Sequence, residues 1–349
     1  MFEPKFAFTS KIVNTLGSIE RLYGSLLEQE LIPSLALALS QENQILATHH
    51  STSIEGNPLS PKDVTNIVLA DKIPTNKSER EVKNYFSVLN KISVLVKKHV
   101  PISNDLTLEL HRELMQGLLD HNLGKIRAGE VFVGHKTQTE IVVKHQPPFH
   151  KAAEIAKALS ELYTWTNTQE ELHPLIRASI MHHQFAYIHP FFDGNGRMAR
   201  ILTSYFLQQK QYDVARFFIL DDYYDIDREE YSDKLHSADS GQKTEWIEYF
   251  LEGIAFSLQA ALSRINKLKR KEIDEVSGEK RVLVTKREED VIQVVLDKKA
   301  IKTSDIAETL EVSRQQAHML LASLVKKGIL KKFGKTKTSY YKLATEQKA

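Results

Sequence analysis

A chain of 349 residues has room for two or three domains, each with a core of its own. It holds no cysteine, which excludes disulfide scaffolds, thiolate metal sites and cysteine nucleophiles and suits a reducing cytosol. The net charge is only +2, but Lys280 to Ala349 carries 16 Lys and Arg against 8 Asp and Glu, so the tail is basic and the body before it acidic.

Met1 to Leu16 carries Lys5 and Lys11 among mixed polar residues, unlike a signal peptide, and no apolar run reaches the roughly 18 residues of a membrane span. A cytoplasmic protein without a membrane partner is expected. Through residue 265, apolar residues recur at three- and four-residue spacing between Pro33, Pro58, Pro61, Pro74, Pro101 and Pro174, which predicts a mainly α fold. One stretch differs. From Ile126 to Lys144, Val131, Val133, Ile141 and Val143 alternate with polar neighbours around a Gly134 to Glu140 turn region, the pattern of a β-hairpin.

Ala178, Met181, Phe185 and Ile188 then lie on one helical face, and His189-Pro190 ends that helix. Met198, Ile201, Leu202 and Tyr205 resume the spacing. His182 and His183 are neighbours on the first helix and point different ways, so they read as packing or surface residues rather than as metal ligands. Residues 266–282 are charged and poor in apolar groups, which suggests a linker or an exposed helix end. Beyond it come a helix over about 286–297, a second from Ser304 to Leu310, and a third starting at Ser313, where Gln316 completes a capping box. Ala317, Leu320, Leu321 and Leu324 face inward and leave Arg314, Gln315 and His318 free, while KKFGKTKTSYYKL turns near Gly334 like a two-stranded wing. This pattern resembles a winged helix-turn-helix, with DNA as a candidate partner of residues 283–349.

Residues 189–200 read His-Pro-Phe-Phe-Asp-Gly-Asn-Gly-Arg-Met-Ala-Arg. They supply a potential general base, a hard carboxylate ligand, two glycines that expose backbone N–H groups, and two arginines three apart on one helical face. The loop runs into a helix N-terminus, which favours phosphate. GNGRMA also fits the dinucleotide fingerprint G-x-G-x-x-A, but that turn should follow a strand and this one follows a helix.

The segment HPFFDGNGRMAR resembles the signature of the Fic (filamentation induced by cAMP) family, HPFx(D/E)GNGRxxR, at every fixed position. The resemblance covers roughly residues 30–265 with a core at about 100–240. It implies a Fic-type helical bundle with a β-hairpin flap and a protein adenylyltransferase that moves AMP from ATP to Tyr, Ser or Thr hydroxyls of target proteins. It further implies His189 as the base, Asp193 holding Mg²⁺, Gly194, Asn195 and Gly196 as an anion nest, Arg197 and Arg200 as phosphate clamps, and Met198 and Ala199 beside the nucleotide.

Ser51-Thr52-Ser53-Ile54-Glu55-Gly56 fits the family's inhibitory pattern (S/T)xxxE(G/N), N-terminal to the core as in its class II. Ser51, Glu55 and Gly56 would carry a brake in which Glu55 competes with the γ-phosphate for Arg200. The 126–144 hairpin resembles the flap that holds the target segment by strand addition, with Val142, Val143, Lys144 and His145 nearest the nucleotide. REEYSDKLHSAD resembles the adenine side, with Tyr231 matching the first tyrosine, Ser232 replacing a second tyrosine and Asp239 replacing an asparagine. The expected layout is therefore 1–99 inhibitory region, 100–265 catalytic domain, 266–282 linker and 283–349 winged helix. A homodimer stays open, as do two alternatives for function: a DNA-binding regulator, and AMP removal or transfer of another nucleotide at the same site.

Overall fold

The computed structural model describes residues 2–29, 33–70, 72–136, 141–212, 217, 219–275, 284–334 and 339–344. They divide into two compact units, Met1–Leu22 with Leu39–Ile265 and Tyr23–Ala38 with Asn266–Ala349. The fold is mainly helical, with two short antiparallel hairpins among the described residues. Among the described residues no helix is long and apolar enough to cross a membrane.

The first unit holds most of α1 (Ser10–Leu27) and α2 (Pro33–Ile54), then α3 (Pro61–Leu69), α4 (Lys77–Lys97) and α5 (Asn104–Leu114). β1 (Val133–Lys136) and β2 (Ile141–His145) come next, followed by α6 (Ala152–Thr168), α7 (Pro174–Ile188) and α8 (Asn195–Gln209). It ends with α9 (Leu220–Ile226), α10 (Arg228–Ser237), a 3₁₀ turn at Ala238–Ser240, and most of α11 (Thr244–Glu275). Pro33, Pro61 and Pro174 each open a helix, a position where the missing N–H is harmless. The predicted breaks at these prolines are helix starts.

At the centre α7 packs against α6 and α8, and α8 also meets α4 and α5. Ala178, Met181, Phe185 and Ile188 are all buried, but so are Arg177, Ser179, His182 and His183. Thus α7 is covered on every side, not on one face. Its polar groups are tolerated because they are bonded: Ser179 donates to the Ile176 carbonyl and Arg177 to that of Thr166.

The hairpin is shorter than the alternation suggests. Gly134 pairs with Val143 and Lys136 with Ile141, so Gly134 lies in a strand rather than in the turn, and residues 126–132 form no strand. Arg127 spends its N–H on the Pro190 carbonyl, and Gly129 takes φ +109°, which removes that stretch from any ladder. The turn itself, residues 137–140, lies outside the described residues.

Helix α11 runs on to Glu275, so residues 266–275 of the expected linker are helical, and 276–282 lie outside the described residues. The second unit contains α12 (Lys286–Lys298), α13 (Thr303–Thr309), α14 (Arg314–Lys326), β3 (Leu330–Phe333) and β4 (Tyr340–Leu343). Ser313 is the N-cap of α14, and with Gln316 it forms a capping box. Val291, Val295, Ile306, Leu321, Leu324, Leu330 and Tyr341 make its core. The hairpin pairs Leu330 with Leu343, and the tip at 335–338 lies outside the described residues.

Candidate active site

The segment from His189 to Arg200 is the turn between α7 and α8 and the first part of α8. His189 caps α7 in the left-handed region, φ 50° and ψ 64°, a conformation that costs a non-glycine residue about 1–2 kcal/mol. Wholly buried Arg127 holds it there. Its guanidinium donates to the carbonyls of His189 at 2.6 Å, Gly129 at 2.6 Å and Ile188 at 3.3 Å. Asn195 closes the loop, donating to the Phe191 carbonyl at 2.8 Å and accepting from the Phe191 N–H at 2.9 Å. Its side chain is therefore spent inside the loop, and only its backbone N–H remains for an anion. Phe191 stacks on His111 at 3.6 Å, and His111 Nε2 donates to the Asp193 carbonyl at 3.1 Å.

One ring N–H of His189 is held by the Ala186 carbonyl, which leaves the other nitrogen as a lone pair. Burial and the charge of His145 push its pKa down to about 4. The ring is consequently neutral, the form a base needs.

Gly194, with φ +82°, is the N-cap of α8, and the first N–H groups of that helix have no intrahelical acceptor. Arg197 and Arg200 are both buried. Arg197 donates to Asp193 Oδ1 at 3.0 Å and lies 3.7 Å from Glu81. Arg200 donates to Ser51 Oγ at 2.7 Å, the Ser51 carbonyl at 2.9 Å and Glu55 Oε1 at 2.7 Å. Burial opposes its positive charge, and the Glu55 carboxylate more than offsets that.

The end of α2 explains why Glu55 can reach so far. Gly56, with φ +88°, terminates the helix. Its N–H donates to Ser53 and that of Asn57 to Thr52, the paired bonds of a Schellman motif with glycine at C′. Glu55 thus stands at the C-cap, one residue beyond the helix. A Cβ on Gly196 would come within 2.3 Å of its Oε1, so the carboxylate lies against the α8 N-terminus, where anions are favoured.

On the hairpin side, Val143 is exposed, Lys144 donates to Asp233 at 2.9 Å and His145 is buried. Val142 belongs to β2, and its side chain lies outside the described residues. Asp239 binds three imidazoles: His145 at 2.7 Å, His183 at 3.0 Å and His236 at 3.1 Å. Burial alone would raise its pKa, but these hydrogen bonds outweigh burial and hold it well below the carboxylate range. His145 Nε2 also faces the Tyr187 carbonyl at 2.9 Å. Both its nitrogens therefore meet acceptors.

Several expected nucleotide contacts are already committed elsewhere. Met198 and Ala199 are buried in the core, because the helical turn that aims Arg197 and Arg200 at the loop turns these side chains away from it. Tyr231 is buried, stacked on Tyr224 and bonded to His182 Nε2 at 2.9 Å. Ser232 is half-buried. Asp239 faces histidines. His182 and His183 are interior residues, the second accepting from Lys243 at 2.8 Å. Sequence reading missed Arg127, His111, Lys243 and Asp221. Burial raises Asp221 to about 6 despite the nearby Arg200. An isolated Arg or Asp in a helical chain carries no local signal of such partners.

A divalent cation fits Asp193. One carboxylate oxygen is taken by Arg197 and the Gly194 N–H, and Mg²⁺ needs only one or two carboxylates when substrate phosphates supply the rest.

Residues 101–207 match the Fic/DOC family. The protein adenylyltransferases fic-1 of Caenorhabditis briggsae and Caenorhabditis elegans are each 28% identical over 229 residues, 63% of this chain and 42% of theirs. Protein adenylyltransferase Fic of Nematostella vectensis is 29% identical over 209 residues, 58% of this chain and 44% of that one. The chain thus spans less than half the length of these relatives. A Fic family protein from Desulfovibrio desulfuricans G20 superposes with a TM-score of 0.65 over 100% of both chains at 23% identity. Fic-1 (aa134–508) from C. elegans does so at 0.60 over 74% of this chain and 73% of its own, at 24% identity. At these identities the structural likeness speaks for the fold.

Proposed function

We propose, from the match of residues 101–207 to the Fic/DOC family, that the chain is a protein adenylyltransferase held in check by Glu55. The observation that carries the reading is the 2.7 Å pair between Glu55 and Arg200 at the N-terminus of α8, on the loop that also bears His189. A carboxylate lying on a buried arginine and a helix N-terminus marks a place built for phosphate.

In this reading the α8 N-terminus, Arg197 and Arg200 hold the ATP phosphates, and Asp193 holds Mg²⁺, which neutralises phosphate charge when bound. His189 takes the proton of a target Tyr, Ser or Thr hydroxyl. The hydroxyl oxygen bonds to the α-phosphorus as the bond to the pyrophosphate oxygen breaks, and pyrophosphate leaves. Glu55 is the brake because it competes with the γ-phosphate for Arg200. The β1–β2 hairpin, exposed at Gly134 and Val143, offers its edge to an extended target segment. The same base would also serve AMP removal or another nucleotide donor.

The test is incubation of the purified chain with each nucleoside triphosphate, weighing the protein afterwards. Glu55→Gly should gain the mass of AMP from ATP, and His189→Ala should not. A silent Glu55→Gly protein in the presence of Mg²⁺ overturns the reading.

A second reading concerns the second unit. Arg314, Gln315 and His318 are exposed on α14, and Lys331 and Lys332 on β3, a layout that supports a winged helix-turn-helix meeting a DNA groove. Duplex binding that weakens with salt and vanishes in Arg314→Ala is expected. Undetectable binding at low salt removes it.

A further inference from the structure

Away from the loop, two imidazoles and a carboxylate converge between α2 and α9. One ring nitrogen each from His49 and His50 and one oxygen of Asp225 lie within 4.8 Å of one another. His50 Nδ1 is 2.9 Å from Asp225 Oδ2, and the two rings sit edge to face, 5.0 Å apart at 80°. All three residues are half-buried, open enough for an ion to enter.

The surroundings are those of a ligand set. Arg228 Nε donates to the other Asp225 oxygen at 2.7 Å, and Arg228 also donates to Ser53 Oγ at 2.7 Å. Asp225 is thereby oriented with Oδ2 toward the histidines. His49 Nδ1 is buried and has no hydrogen-bond partner, a cost that a bound cation would remove. The other cluster of this kind, His145, His236 and Asp239, differs. There the carboxylate is already taken by three rings.

We propose that His49, His50 and Asp225 bind a divalent cation of the zinc class, with water as fourth ligand, and so fasten α2 to α9. Two imidazoles and a carboxylate suit zinc, whose bonds of about 2.0–2.2 Å require the three ligand atoms to stand closer together than the 4.8 Å within which they lie. Occupation would hold the end of the helix that leads into Glu55. That consequence rests on the brake proposed above, whereas the binding test does not.

The test is titration of the full, chelator-treated chain with Co²⁺, followed by its visible absorption and by amide line broadening. One Co²⁺ should bind per chain, be displaced by one equivalent of Zn²⁺, and broaden amides around 49–53. Affinity should fall at least about tenfold in H50Q and in D225N and stay unchanged in H236Q. No saturable band overturns the proposal. So does a band lost in H236Q but kept in H50Q and D225N, or broadening centred on 233–239.

Discussion

Glu55 and Gly196 fit together because one of them lacks a side chain. A Cβ on Gly196 would stand 2.3 Å from Glu55 Oε1, far inside contact distance. Gly196→Ala should therefore push the flexible end of Glu55 off Arg200 and destabilise the nucleotide-free protein by about 1 kcal/mol, the worth of one hydrogen bond. Most of that loss should vanish when Glu55 is already Gly. A double-mutant cycle of urea melts measures the coupling, and additive effects would mean the two residues do not touch.

Releasing Glu55 should raise the rate of self-modification. A hydrogen bond to a charged group contributes about 1.5–3 kcal/mol when buried, and Glu55 is partly exposed, so a gain of about tenfold or more is expected for Glu55→Gly. Mass gain against time, at fixed ATP and Mg²⁺, gives the ratio.

The pH profile follows from His189. Its pKa is pushed down to about 4 by burial and by His145, with Arg127 acting in the same direction and Glu55 in the opposite one. A base works when deprotonated, so the rate at low ATP should stay flat from neutral pH down to about 5 and drop only below that. Removing the neighbouring positive charge in His145→Gln should move the acidic limb to higher pH. A limb near 6.5 in the unaltered protein would contradict the burial.

Arg127→Ala should leave the carbonyls of Ile188, His189 and Gly129 without their donor. Stability should fall by about 3 kcal/mol or more, and amides of residues 188–191 should exchange faster. Activity should fall with them, since the left-handed turn at His189 loses its restraint.

Ser313→Ala should cost about 1 kcal/mol through loss of the α14 cap. The effect should appear in probes of the second unit, such as exchange at Leu321 and Leu324, and not in α7 or α8.

The contiguous parts of the site were readable from sequence because one turn and one helix start carry them: His189, Asp193, Gly194, Gly196, Arg197 and Arg200 are neighbours in the chain. Glu55 was singled out by its match to the (S/T)xxxE(G/N) pattern, and the structure sets its carboxylate 2.7 Å from Arg200. The α fold and the helices of the second unit followed from apolar spacing and caps. What escaped depends on long-range pairing. Arg127 grips a carbonyl 62 positions away, and Asp239 accepts from His183 across 56. No local pattern encodes either. The hairpin was drawn too long because alternation continues through Val131, whereas tertiary bonds at Arg127 take the backbone elsewhere. Tyr231, Met198 and Ala199 were read by position in a motif, which does not reveal which way a helix turns a side chain.

The Schellman turn at Gly56 makes the Glu55 carboxylate part of a helix terminus. Terminal turns open at a small fraction of a domain's unfolding free energy, so the latch can lift by unwinding a few residues while the bundle beneath stays shut. Under the proposed function, anything that tightens or loosens that one turn, from a bound ion to a neighbouring protein surface, would throttle the activity without touching the 189–200 loop.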